Sequence, residues 1–483
     1  MTTSNRPSNA RALSLRDPAG TLFEIESKLV RQLHSQGLKD WAAIKESSAF
    51  KKLVSQGILV KTWELSDAEI KDLFPDFDQT FTPETPSTFL GHDKIKFISY
   101  PYEWAPEMLK AAGLLTLDFA IELSVENLGL KDATPFNVLF NGCNPVFVDL
   151  LSIEKRNPKD SLWLAYSQFS RTFINPLLAY KHFGHTLKNV FLLRREGLTA
   201  SHLFSQSSFL KKLHPSLISQ MTVPALLENW TDRKLSNHPN THRLMEEKRA
   251  KFTFDYFLKS ARRSFSNITF DHKKLRTQFK NYMGSESPYS RDQFSTKEKM
   301  VRQWVETYSE KSVLDIGCND GHFSRIAADV GRWVCAIDSE SELISKTWNL
   351  CRDTHPSILP LVVNIADPSP ASGWKNREYK SFLERSRGQF DCVLMLALVH
   401  HLLTTESILL PYIIELASEL TTDHVILEWV GINDPMFQHL SKGRDYSHLT
   451  IENFESEAKK RFQIVQKCEL PGKTRTLYCL KKL

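Results

Sequence analysis

The sequence predicts an α/β chain whose C-terminal part is a doubly wound parallel sheet, preceded by an α+β domain, and three observations carry that reading. An apolar strand, Val313-Leu314-Asp315-Ile316, empties into Gly317-Cys318-Asn319-Asp320-Gly321 just before helical residues. A second apolar run, Trp333 to Ile337, ends in another acid, Asp338, roughly 20 residues after Asp315. Further strand-like runs follow at regular intervals, and the last two flank a Pro471-Gly472 turn.

Each element has its own reason. Val313, Leu314 and Ile316 are strand formers, Gly317 lets the backbone turn with positive φ beside a ligand, and Gly321 permits close approach where the helix begins. The spacing Asp-x-Gly-x-x-x-Gly differs from the glycine pattern that seats a pyrophosphate, and Asp315 repels phosphate. It suits a ligand that offers an ammonium or hydroxyl groups. Asp338 stands where a carboxylate can accept paired ribose hydroxyls, although with Ser339-Glu340 following it can also serve as a helix N-cap. Leu359 to Val363 reads as the third strand, followed by Asn364 and Asp367, the latter before Pro368 and therefore also an ordinary turn former. Phe390 to Leu396 is the fourth, apolar enough for burial on both faces, and His424 to Leu427 the fifth, ending at Glu428. Phe462 to Leu470 and Thr474 to Leu480 close the sheet as an antiparallel pair.

The turn at Asp315 resembles motif I of class I S-adenosylmethionine (SAM) methyltransferases, and the resemblance covers residues 286–483. It implies a seven-stranded sheet with SAM held by Asp315, Gly317, Cys318, Asn319, Gly321, Asp338, Asn364, Asp367 and Leu396, Asn364 and Asp367 falling where that family contacts adenine. His400 and His401 follow the fourth strand, at the carboxyl edge where open α/β sheets place ligands. A histidine titrating near neutrality can take the proton of an oxygen or nitrogen acceptor, so both are candidate bases. The alternative is that one ring bonds a loop backbone and the other packs on the cofactor. Glu428, with Trp429 and the loop after it, is a second candidate for the acceptor wall, and Arg444 sits on a later polar loop. No third ligand at a recognisable spacing joins the histidines, so no metal is expected in this domain.

The N-terminal half carries another constellation. Asp132 and Asn137 precede two short runs joined by an Asn-Gly turn that deliver Asp149, after a helical pattern from Met108 to Leu128. This resembles the catalytic loop of kinase-like phosphotransferases, which implies Asp132 as base and Asn137 and Asp149 as magnesium ligands beside ATP. The chain departs from that pattern. Leu130 stands where a His or Tyr is usual, no Gly-rich loop appears in residues 20–95, and Lys61 is the nearest match to the ATP-pairing lysine. Phosphoryl transfer by this domain is therefore left open.

With Ile98 to Trp104 ahead of the kinase-like part, the two halves look like one bacterial family, the SAM-dependent methyltransferases related to the rhizobial host-specificity nodulation protein. The expected organisation is a disordered tail over 1–20, a kinase-like domain over 21–285 and a methyltransferase domain over 286–483, with a hinge near 281–293 and a solvated helix or loop over 230–252. A mitochondrial presequence is the alternative for the first 20 residues, against which stands their poor amphipathic pattern. No apolar run is long enough to span a bilayer, and seven cysteines without Cys-x-x-Cys point to reduced thiols and a cytoplasmic protein. The net charge of +6, without a basic run interleaved with aromatics, argues against nucleic acid. The expected function is SAM-dependent methyl transfer to a small molecule or glycan, the kinase-like domain binding or positioning. The alternatives are a bifunctional kinase and methyltransferase of a glycan, or a non-catalytic SAM-sensing scaffold.

Overall fold

The computed structural model describes residues 10–14, 16–74, 88–214, 217–226, 244–270 and 289–483. Its contacts divide into unit 1 (Met1–Tyr102, Pro106–Leu139, Pro145–Phe270) and unit 2 (Glu103–Ala105, Phe140–Asn144, Asp271–Leu483). The hinge expected at 281–293 and the boundary at 286 fall largely outside the described residues.

Unit 1 begins with an antiparallel sheet in the order β1-β2-β3-β5-β4, formed by β1 (Ala10–Ala12), β2 (Gly20–Ile25), β3 (Lys28–Leu33), β4 (Thr62–Glu64) and β5 (Phe89–His92). One face buries Ile25, Val30 and Phe89 together with Phe74, and helix α1 (Ser35–Ile44) follows β3. Residues 10–12 were expected in a tail. They pair instead with β2, through main-chain hydrogen bonding that composition does not reveal. Helix α2 (Pro106–Ser124) is largely buried, and it stops four residues before the expected Leu128 because Asn127 turns the chain at φ +56°. Leu128–Leu130 then forms β6, paired with β9 (Ile153–Lys155). Between them in sequence β7 (Val138–Asn141) and β8 (Asn144–Phe147) make the expected hairpin, its tip Phe140–Asn144 counted with unit 2 and Gly142 at φ +62°. Within the segment read as solvated, the described part starts α3 (Glu247–Ser266), which buries Ala250, Phe254, Leu258 and Phe265 along one stripe.

Unit 2 opens with α4 (Arg291–Tyr308), whose start is fixed by a capping box between Ser290 and Gln293. Seven strands follow in the order β12-β11-β10-β13-β14-β16-β15: β10 (Ser312–Ile316), β11 (Trp333–Asp338), β12 (Ile358–Val362), β13 (Phe390–Met395), β14 (Thr421–Val430), β15 (Phe462–Glu469) and β16 (Arg475–Lys482). The first five run parallel, and β16 lies antiparallel to both β14 and β15. That agrees with the sequence reading, except that β14 runs from Thr421 to Val430 rather than stopping at Leu427. Pairing with β13 on one side and β16 on the other holds the backbone extended beyond the apolar run. Glu428 thus lies inside the strand.

Strand order reverses between β10 and β13, the position where open α/β sheets leave a crevice at their carboxyl ends. Helix α5 (His322–Asp329) starts there from Gly321, at φ +73°. A Cβ at that position would lie 2.6 Å from Thr347 Cγ2 on α6 (Ser341–Cys351), so both conformation and space demand glycine. Gly321→Ala is expected to destabilise unit 2 by about 1–3 kcal/mol, measured as a lowered chemical-denaturation midpoint with unchanged slope.

Candidate functional site

The turn after β10 is built by backbone hydrogen bonds and by the two acids that flank it. Gly317 (φ +74°) and Cys318 both donate their N–H to Ile337 O, at 2.8 and 3.0 Å, tying the end of β10 to β11. Asn319 takes φ +53° and donates its N–H to Asp338 Oδ2 at 2.9 Å, while Glu340 N–H donates to Oδ1 at 3.0 Å. Asp338 thus serves the loop as a cap and keeps a lone pair on each oxygen. Asp315 is 2% exposed and accepts a bond from Ser324 Oγ at 2.6 Å. Burial pushes both carboxyls up to about 6, against the hydrogen bonds that lower them. The two buried acids thus stand at the carboxyl ends of neighbouring parallel strands, β10 and β11. Beyond β12, Asn364 Oδ1 accepts from Ala366 N–H at 2.9 Å and Asp367 is exposed, an arrangement that accounts for Asn364 as a turn former.

Across the crevice, β13 is followed by buried Leu396, and Ala397 turns the chain at φ +50° into α7 (Val399–Thr404). His400 is 1% exposed, and among the described residues neither of its ring nitrogens has a hydrogen-bond partner. His401 lies beside it, ring centroids 4.3 Å apart. Burial drives His400 well below the usual imidazole range, helped by His401, Arg475 and Lys297. His401 is pulled down to about 4 by burial and then by Arg475. Both rings are neutral at physiological pH. Arg444 caps this helix by donating to Thr404 O at 2.9 Å.

Beneath lies a charge network that the sequence reading missed. Glu428 is fully buried and accepts from Lys297 Nζ at 2.6 Å, from Tyr289 OH at 2.9 and 3.0 Å, and from Arg475 Nη1 at 3.4 Å. Arg475 in turn makes bonds of 2.8 and 3.0 Å to Asp434. Burial alone would raise the Glu428 pKa, but Lys297 and Arg475 outweigh it and hold the carboxylate ionised. With its oxygens taken up by Lys297, Tyr289 and Arg475, Glu428 sits in this geometry as their counter-ion. Lys297 was legible in principle, as the one charge on the stripe it shares with Val301, Trp304 and Val305 in α4.

In unit 1, Asp149 lies close enough to Asp132 to act on its carboxyl and is linked to Asn137 through Ser152. Asp149 raises the Asp132 pKa, after burial, and Ser152 Oγ bridges the other two, donating to Asp149 Oδ2 at 2.5 Å and accepting from Asn137 Nδ2 at 2.8 Å. Arg31 on β3 approaches Asp149, and Lys131 acts on Asp132. The Arg31 Nη1 is 3.0 Å from Asp17 and 3.9 Å from Asp149. Among the described residues no group of three or more His, Cys, Asp or Glu side chains is set to hold a metal.

Residues 291–410 match the family model described as a methyltransferase domain. The chain carries a SAM-dependent methyltransferase domain. Over its length the methyltransferase is 29% identical to the nodulation protein NoeA of Rhizobium meliloti (strain 1021), covering 97% of this chain and 95% of that protein. Among solved structures it is similar to the N-methyltransferase NodS of Bradyrhizobium japonicum WM9 (13% identity, TM-score 0.30, 40% of this chain and 98% of that one). It is also similar to magnesium protoporphyrin IX methyltransferase (ChlM) of Synechocystis PCC 6803 with bound SAM (15% identity, TM-score 0.31, 45% of this chain and 100% of that one). All seven cysteines of the methyltransferase are free, and no helix among the described residues is long and apolar enough to cross a membrane.

The raised acids give a stability prediction. A carboxyl whose folded pKa lies above its unfolded value contributes stability below about pH 4 that is lost as pH rises through about 6. In the absence of ligand, Asp315→Asn is therefore expected to stabilise the protein near pH 7 by up to about 3 kcal/mol, a gain that shrinks to nothing near pH 4. Denaturation midpoints measured across that range check it.

Proposed function

We propose that unit 2 transfers the SAM methyl group to an oxygen or nitrogen of a small-molecule or glycan acceptor, with His400 or His401 receiving the acceptor proton. The observation that carries this reading is His400, a buried imidazole with both nitrogens unpaired, at the carboxyl end of β13 where strand order reverses. In this reading Asp315 faces the cofactor's ammonium, Asp338 accepts its ribose hydroxyls, and Gly317, Cys318, Asn319, Gly321 and Leu396 line its path. Asn364 and Asp367 flank the adenine end. Bound SAM supplies a methyl carbon already activated by the sulfonium. What remains for the chain is orientation, water exclusion and removal of one proton. An oxygen or nitrogen becomes strongly acidic as its bond to the methyl forms, so a weak base held neutral is sufficient.

For unit 1 we read binding or positioning rather than phosphoryl transfer. Its strand order, the loop from Asp132 to Asn137 and the hairpin leading to Asp149 support a kinase-like fold. The Asp17–Arg31 pair argues against turnover, because Asp17 lies between β1 and β2, where a phosphate-covering loop would run. A thermal-shift titration with magnesium-ATP is expected to leave the melting temperature unchanged. A clear shift would favour the bifunctional reading.

A metabolite-extract screen with isotopically labelled SAM tests the main proposal, and absence of label transfer to any acceptor would leave the scaffold reading. With an acceptor in hand, His400→Asn or His401→Asn is expected to lower turnover by roughly 10²–10⁴ with little change in SAM affinity. Because both pKa values are depressed, the wild-type rate should be flat from about pH 6 to 8, without a limb near the ordinary histidine value. Wild-type rates in both variants would make the pair structural.

A further inference from the structure

The chain's net charge is far from evenly distributed. Between residues 181 and 226 there are six Lys or Arg and a single acid, Glu196, so this one stretch of unit 1 accounts for nearly all of the +6. Its folding brings part of that charge to one surface. The short helix Phe209–Lys212 packs beside the end of helix Asn175–Phe183, where Lys211 Nζ donates to His182 O at 2.7 Å and lies 4.6 Å from the Phe183 ring centroid. The positive field is strong enough to add to burial in pulling His182 down to about 4, through Lys181, His214 and Lys211.

Within this basic field stand apolar side chains that the fold does not cover. Phe209 is 74% exposed, Leu210 80%, Leu213 55% and Ile218 40%. Lys212 ties the same stretch together, its carbonyl accepting from Thr222 Oγ1 at 2.7 Å and its ammonium lying 4.1 Å from the Phe204 ring centroid. Neighbouring apolar residues in contact with water are unfavourable, and local hydrogen bonding does not require them here. Apolar side chains flanked by lysines combine the two signals of interfacial binding, insertion at the headgroup boundary and attraction to negative lipid. Duplex or single-stranded nucleic acid would satisfy the lysines but leave aliphatic Leu210, Leu213 and Ile218 against phosphate.

We propose that this face of unit 1 docks on a bilayer surface rich in anionic lipid, with Phe209 and Leu210 entering the headgroup boundary and Lys181, Lys211 and Lys212 facing the lipid charge. The arrangement holds the protein at a membrane without a spanning helix.

The test uses the full-length protein with two kinds of vesicle, phosphatidylcholine alone and an equimolar mixture with phosphatidylglycerol. Co-sedimentation is expected with the mixed vesicles at low salt, to fall steeply as salt rises, and to be weak with phosphatidylcholine. Phe209→Ser/Leu210→Ser should lower partitioning at least about tenfold, since each loses the transfer of a large apolar side chain, and Lys181→Glu by about tenfold. Both variants should keep the wild-type circular dichroism spectrum and SAM affinity. Failure of the wild-type protein to bind mixed vesicles would overturn the proposal. So would variants that bind as well as wild type, or an oligonucleotide affinity that exceeds vesicle binding and survives the Phe209→Ser/Leu210→Ser change.

Discussion

Unit 2 is organised around a carboxylate that cannot reach water. Glu428 sits inside β14 with Lys297, Tyr289 and Arg475 around it, and Arg475 extends the chain of charges to Asp434. Desolvating such groups costs several kcal/mol each, which mutual attraction returns only with good geometry and no unmatched partner. The requirement therefore acts as a constraint on everything nearby. It fixes the face α4 turns towards the sheet, and it sets β16 beside β14 so that Arg475, opposite Val430, reaches both acids. Burial does most to keep the two adjacent rings of α7 neutral, and the positive charge of Arg475 adds to it.

Much of this sheet was legible in the sequence. Strands buried on both faces appear as continuous apolar runs, and the glycines at 317 and 321 mark backbone conformations that other residues resist, so five parallel strands and their ligand-facing edge could be read directly. The two acids could be read because their spacing reflects one βαβ unit. What escaped was whatever depends on a distant partner. Glu428 looked like a wall for an acceptor because nothing near it in sequence reveals Lys297 or Arg475, each far away along the chain. Residues 10–12 look like a tail until β2 pairs with them, and Arg31 reaches Asp17 and Asp149 from a strand far from both in sequence.

The two units use charge in opposite ways. In unit 2 the charges around Glu428 are enclosed and matched, so they define shape and set proton affinities. In unit 1 the Asp17–Arg31 pair closes on itself near Asp149, while the lysines around residue 211 face outward. Enclosed pairs resist salt and outward ones do not. Ionic strength is thus a natural variable for separating what each unit contributes.

The network also has a consequence for how the protein is made. Its members come from the start of α4, from β14 and the loop after it, and from β16, which is synthesised after every other strand of the sheet. Until Arg475 and its hairpin have left the ribosome, Glu428 and Asp434 lack one shared cation, and enclosing them would carry the full cost of an unmatched charge. The growing chain therefore gains by keeping this part of the sheet open and hydrated while the parallel strands wait. Completion of unit 2 becomes a late, concerted event triggered by its last hairpin, and a ribosome paused before that hairpin would hold an unfinished sheet with an exposed edge along β14.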